Sequence, residues 1–197
     1  MAHALPMLSG EWSQFLALAG YDFLCEVDRA GRYAKVSPNY ASLLGLRTEE
    51  LLGRTPFELG LIHPEDAGPL AEGVRSLFEE NRPARNEYRF RAGDGSYRWM
   101  ESTGSPFQDE AGAWRCLFIS RDISQRKATE ASLTESEARY RALVEHAVEA
   151  ILLVDAQGML LEVNHRACAL AGYAQEELLG LPVDHLFPAE ELALKPL

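Results

Sequence analysis

The chain repeats part of itself at a shift of 127 residues, without a gap. Val27-Asp28-Arg29-Ala30-Gly31 returns as Val154-Asp155-Ala156-Gln157-Gly158. The same shift pairs Val36 with Val163, Ser37 with Asn164, Ala41 with Cys168 and Gly45 with Gly172. It then pairs the run Glu49-Glu50-Leu51-Leu52-Gly53 with Glu176-Glu177-Leu178-Leu179-Gly180. Turn residues, caps and apolar positions are kept together, and the period lies far beyond solenoid lengths. The repeat therefore marks a duplicated domain. The first copy runs to about residue 126. The second starts near residue 136, and its remaining 62 or so residues match only the front half of the first.

Composition excludes several classes. Nearly half of the 197 residues are apolar, enough for a packed core, and the net charge is −11. No block of basic residues offers a phosphate-neutralising surface, so direct nucleic-acid binding is not expected, and anionic membranes are disfavoured. No run approaches the roughly 18 apolar residues of a spanning helix, so no membrane span is expected. Met1 to Gly20 lacks a basic start, and Glu11 and Gln14 interrupt its apolar stretch, unlike a secretory signal. Cys25, Cys116 and Cys168 lie far apart with no CxxC pair. They read as free thiols of a cytoplasmic protein, without a disulfide frame or a metal site.

The first copy reads as alternating elements. Residues 1–20 hold Trp12, Phe15, Leu16 and Ala19 at helical spacing, which predicts an N-terminal flanking helix. Phe23 to Val27 predicts a strand, Asp28 to Gly31 a tight turn, and Arg32 to Val36 the returning strand. Ser37 is placed to cap a helix with Pro38 at its first position and Gly45 at its end. Thr48 to Gly53 predicts a single capped turn, and His63-Pro64-Glu65-Asp66 starts a longer helix to about Glu80. Past Pro83 the period becomes two, giving strands around Tyr88 and Phe90, over Ser96–Phe107 and over Ala113–Ile123. Residues 124–147, without Gly or Pro, predict a connecting helix. Leu133, Tyr140 and Ala147 fall seven apart on it, which permits a coiled-coil seam. The expected fold is α+β: a five-stranded antiparallel sheet with inserted helices, a connecting helix, and a partial second module. The expected domains are 21–126, 124–147 and 148–197, after the flanking helix.

These residues resemble the PAS family of small sensor domains. The resemblance rests on Asp28-x-x-Gly31, the Asn39–Gly45 helix, Glu49 to Gly53 and Ile62-His63-Pro64-Glu65-Asp66. Further along it rests on Glu87-Tyr88-Arg89-Phe90-Arg91, Asp94-Gly95-Ser96-Tyr97-Arg98-Trp99, Asp109 to Gly112 and Arg121-Asp122-Ile123-Ser124. It covers the whole first module and the second as far as about Phe187. The resemblance implies a sheet whose concave face and central helices can enclose a small molecule. Asn39, Leu43, Phe57, Phe90, Trp99, Met100 and Phe118 are the candidates to line that pocket. Strand alternation puts Trp99 and Met100 on opposite faces and does not say which face is inward. Asp122-Ile123-Ser124 is similar to the family's Asp-Ile-Thr signal-exit motif. There Asp122 is expected to cap the connecting helix and pair with Arg98 or Arg121.

No cofactor is required by the sequence. Photoactive flavin relatives carry a cysteine after the Glu-Glu-Leu-Leu-Gly run, where this chain has Arg54-Thr55-Pro56-Phe57 and Leu181-Pro182-Val183-Asp184. Covalent flavin chemistry is therefore not expected, and Cys168 reads as a small core residue. Haem would need an axial ligand, and His63, the one candidate, reads as a helix-start residue. Trp99 and Trp114 could stack on a non-covalent flavin. No phosphate loop, catalytic triad, zinc-protease motif or phosphoacceptor box is present, so no catalytic residue is assigned.

The resemblance implies a sensory module that detects a small ligand or partner. It would relay the signal by dimer rearrangement to an output domain, a histidine kinase or a cyclic-dinucleotide enzyme, outside these residues. The homodimer would form through the N-terminal and connecting helices. The alternatives are a ligand-free dimerisation or docking module and a non-covalent flavin redox sensor. Ile151-Leu152-Leu153-Val154 lacks covering strands in the second module, which is therefore expected to take help from a partner chain, to swap, or to be poorly ordered.

Overall fold

The computed structural model describes residues 22–187, so the flanking helix predicted over 1–20 lies outside the described residues. The chain divides into two units between Ala128 and Thr129.

In the first unit, strand β1 (Phe23–Asp28) turns into β2 (Tyr33–Val36). The turn is built by Asp28, whose Oδ1 accepts the amides of Ala30 and Arg32, both at 2.9 Å. Gly31 closes it at φ 75°, a left-handed conformation that a residue without Cβ adopts freely. Three helices follow: α1 (Pro38–Leu44), α2 (Thr48–Leu51) and α3 (Pro64–Glu80). Strands β3 (Ala84–Arg91), β4 (Tyr97–Gln108) and β5 (Trp114–Asp122) complete the unit. The last two are each offset by about a residue from their sequence-based bounds.

The five strands form one sheet of order β2-β1-β5-β4-β3, every neighbouring pair antiparallel. The long crossover from β2 to β3 is where the helices sit, and they pack on the face carrying Cys25, Val27, Tyr88, Phe90, Met100, Cys116 and Phe118. This settles the alternation left open above: Met100 and Ser102 point inward, whereas Trp99 lies half-buried on the outer face.

Two caps differ from expectation. Ser37 occupies the N-cap of α1, yet its hydroxyl accepts the Leu24 amide at 3.1 Å and makes no cap bond. At α2, Glu50 folds back onto the Arg47 amide at 2.8 Å, so the cap precedes Thr48.

Helix α4 (Ser124–Glu145) ends two residues short of its predicted bound, and none of its described residues is buried. The second unit holds β6 (Leu152–Val154), β7 (Leu160–Val163), α5 (His165–Ala171), α6 (Gln175–Leu178) and a 3-10 turn at Val183–Leu186. The sequence repeat is reproduced in backbone detail. Cys25↔Val36 and Val27↔Tyr33 in β1–β2 become Leu152↔Val163 and Val154↔Leu160 in β6–β7, with the same register irregularity between them. Glu177 caps the Ala174 amide at 2.8 Å, as Glu50 caps Arg47. Leu160, Val163, Ala167 and Leu178 form the small core of this unit.

Candidate functional site

Between the concave sheet face and the helices of the first unit lies a cavity of about 50 Å³. Val27, Ile62, Leu70, Val74, Phe90 and Phe118 make its apolar wall, and Gly31, Pro56 and Phe57 stand at one side. A polar row crosses the sheet side of the same cavity. Asn86 of β3 pairs in register with Ser102 of β4, which pairs with Ser120 of β5. Directly opposed residues in a sheet point to one face, so the three side chains stand side by side. Ser102 Oγ lies 2.6 Å from Ser120 Oγ and 2.8 Å from the Tyr88 hydroxyl. Tyr33 and Tyr40 share a second hydroxyl pair at 2.8 Å.

The titratable groups of this wall stay neutral at ordinary pH. Burial pushes the Cys25 thiol and the Tyr88 phenol each up to about 12, and raises Tyr33 and Tyr40 well above their usual value. Among the described residues lining the cavity, none carries a charged side chain. The Asn86 Nδ2, buried among them, has no hydrogen-bond partner among the described residues.

Of the seven pocket candidates, Phe57, Phe90 and Phe118 line this cavity. Met100 is fully buried beside it, and Leu43 packs half-buried against the same core. Asn39 serves the start of α1: it accepts from Ser37 Oγ and donates to the Asp22 carbonyl at 3.0 Å. Trp99 faces away, with the Arg89 guanidinium 5.5 Å and the Lys127 amine 5.0 Å from its ring. The row Asn86–Ser102–Ser120, with Tyr33, Tyr40 and Cys25, was not singled out from sequence. Alternation does place Ser102 with Met100 and Ser120 with Phe118, which is the signal that could have found it.

The cavity is several-fold smaller than the roughly 300–1,000 Å³ of pockets that enclose drug-sized molecules. It does not accommodate a haem or flavin ring in this conformation. His63 lies outside it: its Nδ1 accepts the Glu65 amide at 3.3 Å, and its ring meets Tyr97 edge-on. Among the described residues no cluster of three His, Cys, Asp or Glu side chains could hold a metal ion.

The second feature is the junction of β5 with α4. Asp122 Oδ1 accepts the Ser124 amide at 2.8 Å, and its other oxygen lies 3.6 Å from Arg98. Arg121 points the other way and binds Asp22 at 2.8 and 2.9 Å. Neighbouring residues on a strand face opposite sides, whereas Arg98 stands diagonally across from Asp122 on the same side. Trp99 grips the junction from β4: its carbonyl accepts the Ile123 amide at 2.8 Å, and its amide donates to Ser124 Oγ at 3.0 Å. Ile123 is buried.

Charges then fasten the first turn of α4 to the outer face. Glu87 receives Lys127 at 2.7 Å and Arg126 at 2.8 Å, and these hydrogen bonds, Lys127 foremost, hold its carboxyl down at about 2. Arg126 also reaches Glu101, which pairs with Arg85. Arg89, beneath Trp99, binds Asp66 and Glu65 at 2.8 and 2.7 Å, which holds both carboxyls below their usual range.

In the second unit, Asn164 stands where Ser37 stands in the first, and it is completely buried. Its Oδ1 accepts the amides of Ile151 and Ala167, and its Nδ2 donates to the carbonyls of Val144 at 2.9 Å and Glu149 at 3.0 Å. One side chain thus ties the last turn of α4 to β6 and α5.

Family models described as "PAS fold" match residues 33–117 and, separately, 138–195. The two-component sensor PprA of Pseudomonas aeruginosa is 27% identical over 157 residues, 79% of this chain and 17% of that protein. The sensor protein FixL of Bradyrhizobium diazoefficiens is 24% identical over 75% of this chain and 29% of its own length. A probable diguanylate cyclase of Escherichia coli, DgcE, is 24% identical over 61% of this chain and 11% of its own length. The chain thus spans less than a third of each of these relatives. In fold it is similar to a sensory box histidine kinase/response regulator of Burkholderia thailandensis, with TM-score 0.53 and 24% identity over 66% of this chain and 98% of that one. Among the described residues no helix is long and apolar enough to cross a membrane.

Proposed function

The chain belongs to the PAS-fold family of sensory domains, and from that premise we propose that occupancy of the first module's cavity is its input and the setting of α4 its output. Strand β4 carries the reading. Its Ser102 stands in the polar row of the cavity, and its Trp99, three residues away, holds Ile123 and Ser124 by both backbone groups. That separation is only about 10 Å along a strand. A ligand that shifts β4 by a fraction of an ångström acts directly on the first turn of α4. Only a difference in affinity between two settings of that junction can drive such a change.

The helix would pass the change on as one of a pair. Leu133 and Tyr140 lie seven residues apart and are each at least half exposed, which supports a seam between two copies. The likeness to a two-component sensor and to a probable diguanylate cyclase supports a kinase or cyclase as the output domain. The matches to sensory rather than catalytic domains support a non-enzymatic role for the segment itself. The modest cavity volume favours one rival, a constitutive docking module whose core merely packs.

Val74→Met separates the two. It extends a flexible apolar side chain into the cavity and mimics occupancy. Hydrogen exchange at the Lys127 amide, bonded to the Ile123 carbonyl at 3.0 Å, is expected to change with the native fold retained. A folded variant with unchanged exchange there would favour the docking module.

A further inference from the structure

We propose that the cavity of the first module selects a small, uncharged ligand bearing a hydrogen-bond-accepting oxygen, and that the Asn86 side-chain amide is the group that recognises it. The proposal rests on the reading of this cavity as the input site and adds the chemistry of what enters it.

Three observations carry it. The first is the Asn86 Nδ2, a buried donor with no partner among the described residues, in a wall where the other polar side chains are paired among themselves. An unpaired buried amide is unfavourable, and an acceptor placed there removes that cost. Gly73 of α3 lies close over this side chain: a Cβ there would come within 2.9 Å of Asn86 Oδ1.

The second observation is the charge of the lining. Cys25, Tyr33, Tyr40 and Tyr88 are held neutral by burial, and among the described lining residues none carries an ionised side chain. A carboxylate or ammonium entering would lose its hydration without gaining a counter-ion, which excludes it.

The third is size and shape. An apolar cavity of about 150 Å³ takes a benzene ring. By that scale about 50 Å³ is room for about two heavy atoms, so only the smallest molecules enter with little displacement of the wall, their apolar part against Val27, Leu70, Val74 and Phe118. A short ketone, aldehyde, alcohol or amide meets all three conditions. A longer member of the class would displace Phe57, which stands at the rim and is already 37% exposed.

Four probes of one shape test this on the full chain: acetone, acetamide, acetate and acetamidinium, with isobutylene as the oxygen-free control. Binding is read from the methyl signals of Leu70 and Val74 and from the Asn86 side-chain NH₂ signals in NMR titrations. Acetone and acetamide are expected to shift both sets, and the two ions neither. In Asn86→Leu, acetone affinity is expected to fall by about 2- to 10-fold, the worth of one hydrogen bond, while isobutylene binds as before. If no probe moves the cavity methyls, the input-site reading itself fails. If acetate binds as well as acetone, the site stands and its selection for neutral ligands fails. If Asn86→Leu keeps full acetone affinity, Asn86 is not the recognising group.

Discussion

Replacing Ser124 by alanine isolates the contact on which the proposed relay depends. The hydroxyl of Ser124 accepts the Trp99 amide at 3.0 Å, and the site is half-buried. A buried unpaired N–H costs about 1–3 kcal/mol, and the partial exposure puts this one near the lower end. Alanine in the first turn of a helix regains a few tenths through propensity. The net loss is therefore about 1 kcal/mol, or roughly a 5-fold loss of protection at that amide. The two units need not melt together, so a single melting temperature would blur so small an effect. Residue-resolved hydrogen exchange is the assay. In Ser124→Ala the Trp99 amide is expected to lose about 5-fold protection and Lys127 a comparable amount, while amides of β1 keep theirs. Ser124→Thr, which restores the hydroxyl, is expected to behave as the parent. Unchanged protection at Trp99 in the alanine variant would show that β4 does not hold the junction through this bond.

Other perturbations follow from the same geometry. Gly104→Ala would place a Cβ 2.5 Å from the Phe118 ring and 2.7 Å from Leu77. Overpacking of this kind costs about 1–3 kcal/mol, read as a lower denaturant midpoint for the first unit. Asn164→Leu keeps the volume but strands four backbone groups. Exchange at Ile151 and Ala167 should rise, and rescue by Asn164→Asp should be partial because a carboxylate cannot donate to Val144. Glu87 has its carboxyl lowered to about 2 by Lys127 and Arg126. Its contribution to docking α4 is complete above the unfolded carboxyl value near 4.5 and fades as pH falls toward 2. Glu87→Gln should remove that acid-dependent step in a carboxyl-detected titration, most visibly at low salt. Leu133→Glu with Tyr140→Glu should lower self-association in sedimentation equilibrium at any concentration where the parent dimerises.

What could be read from sequence was what local chemistry decides. Asp28 and Asp155 fold their own turns, Gly31 and Gly158 close them, and Pro38 starts a helix, each within a few residues of chain. The Asp122 cap is equally local. The polar row was beyond reach because it depends on register between separate strands. Asn86 meets Ser102, and Ser102 meets Ser120, only once the β3–β4 and β4–β5 pairings are fixed. Alternation sorted Trp99 from Met100 but could not orient the sheet, because both faces carry apolar residues. The choice between Arg98 and Arg121 as the partner of Asp122 also rested on pairing. Sequence left Arg98 and Arg121 both open, and the diagonal across β4 and β5 gave the contact to Arg98.

If filling the cavity moves the α4 junction, Trp99 is placed to report it. Its ring lies against the Arg89 guanidinium and the Lys127 amine, the latter on the first turn of α4. With fluorinated tryptophan, and the signal assigned through Trp99→Phe, acetone can be titrated while the cavity methyls and the Trp99 fluorine are followed in one sample. The Trp99 signal is expected to shift along the same binding curve as the Val74 methyls. Ser124→Ala is expected to reduce the Trp99 shift reached when the Val74 methyls are saturated. A cavity that fills to saturation while the Trp99 signal stays still would contradict the proposed relay.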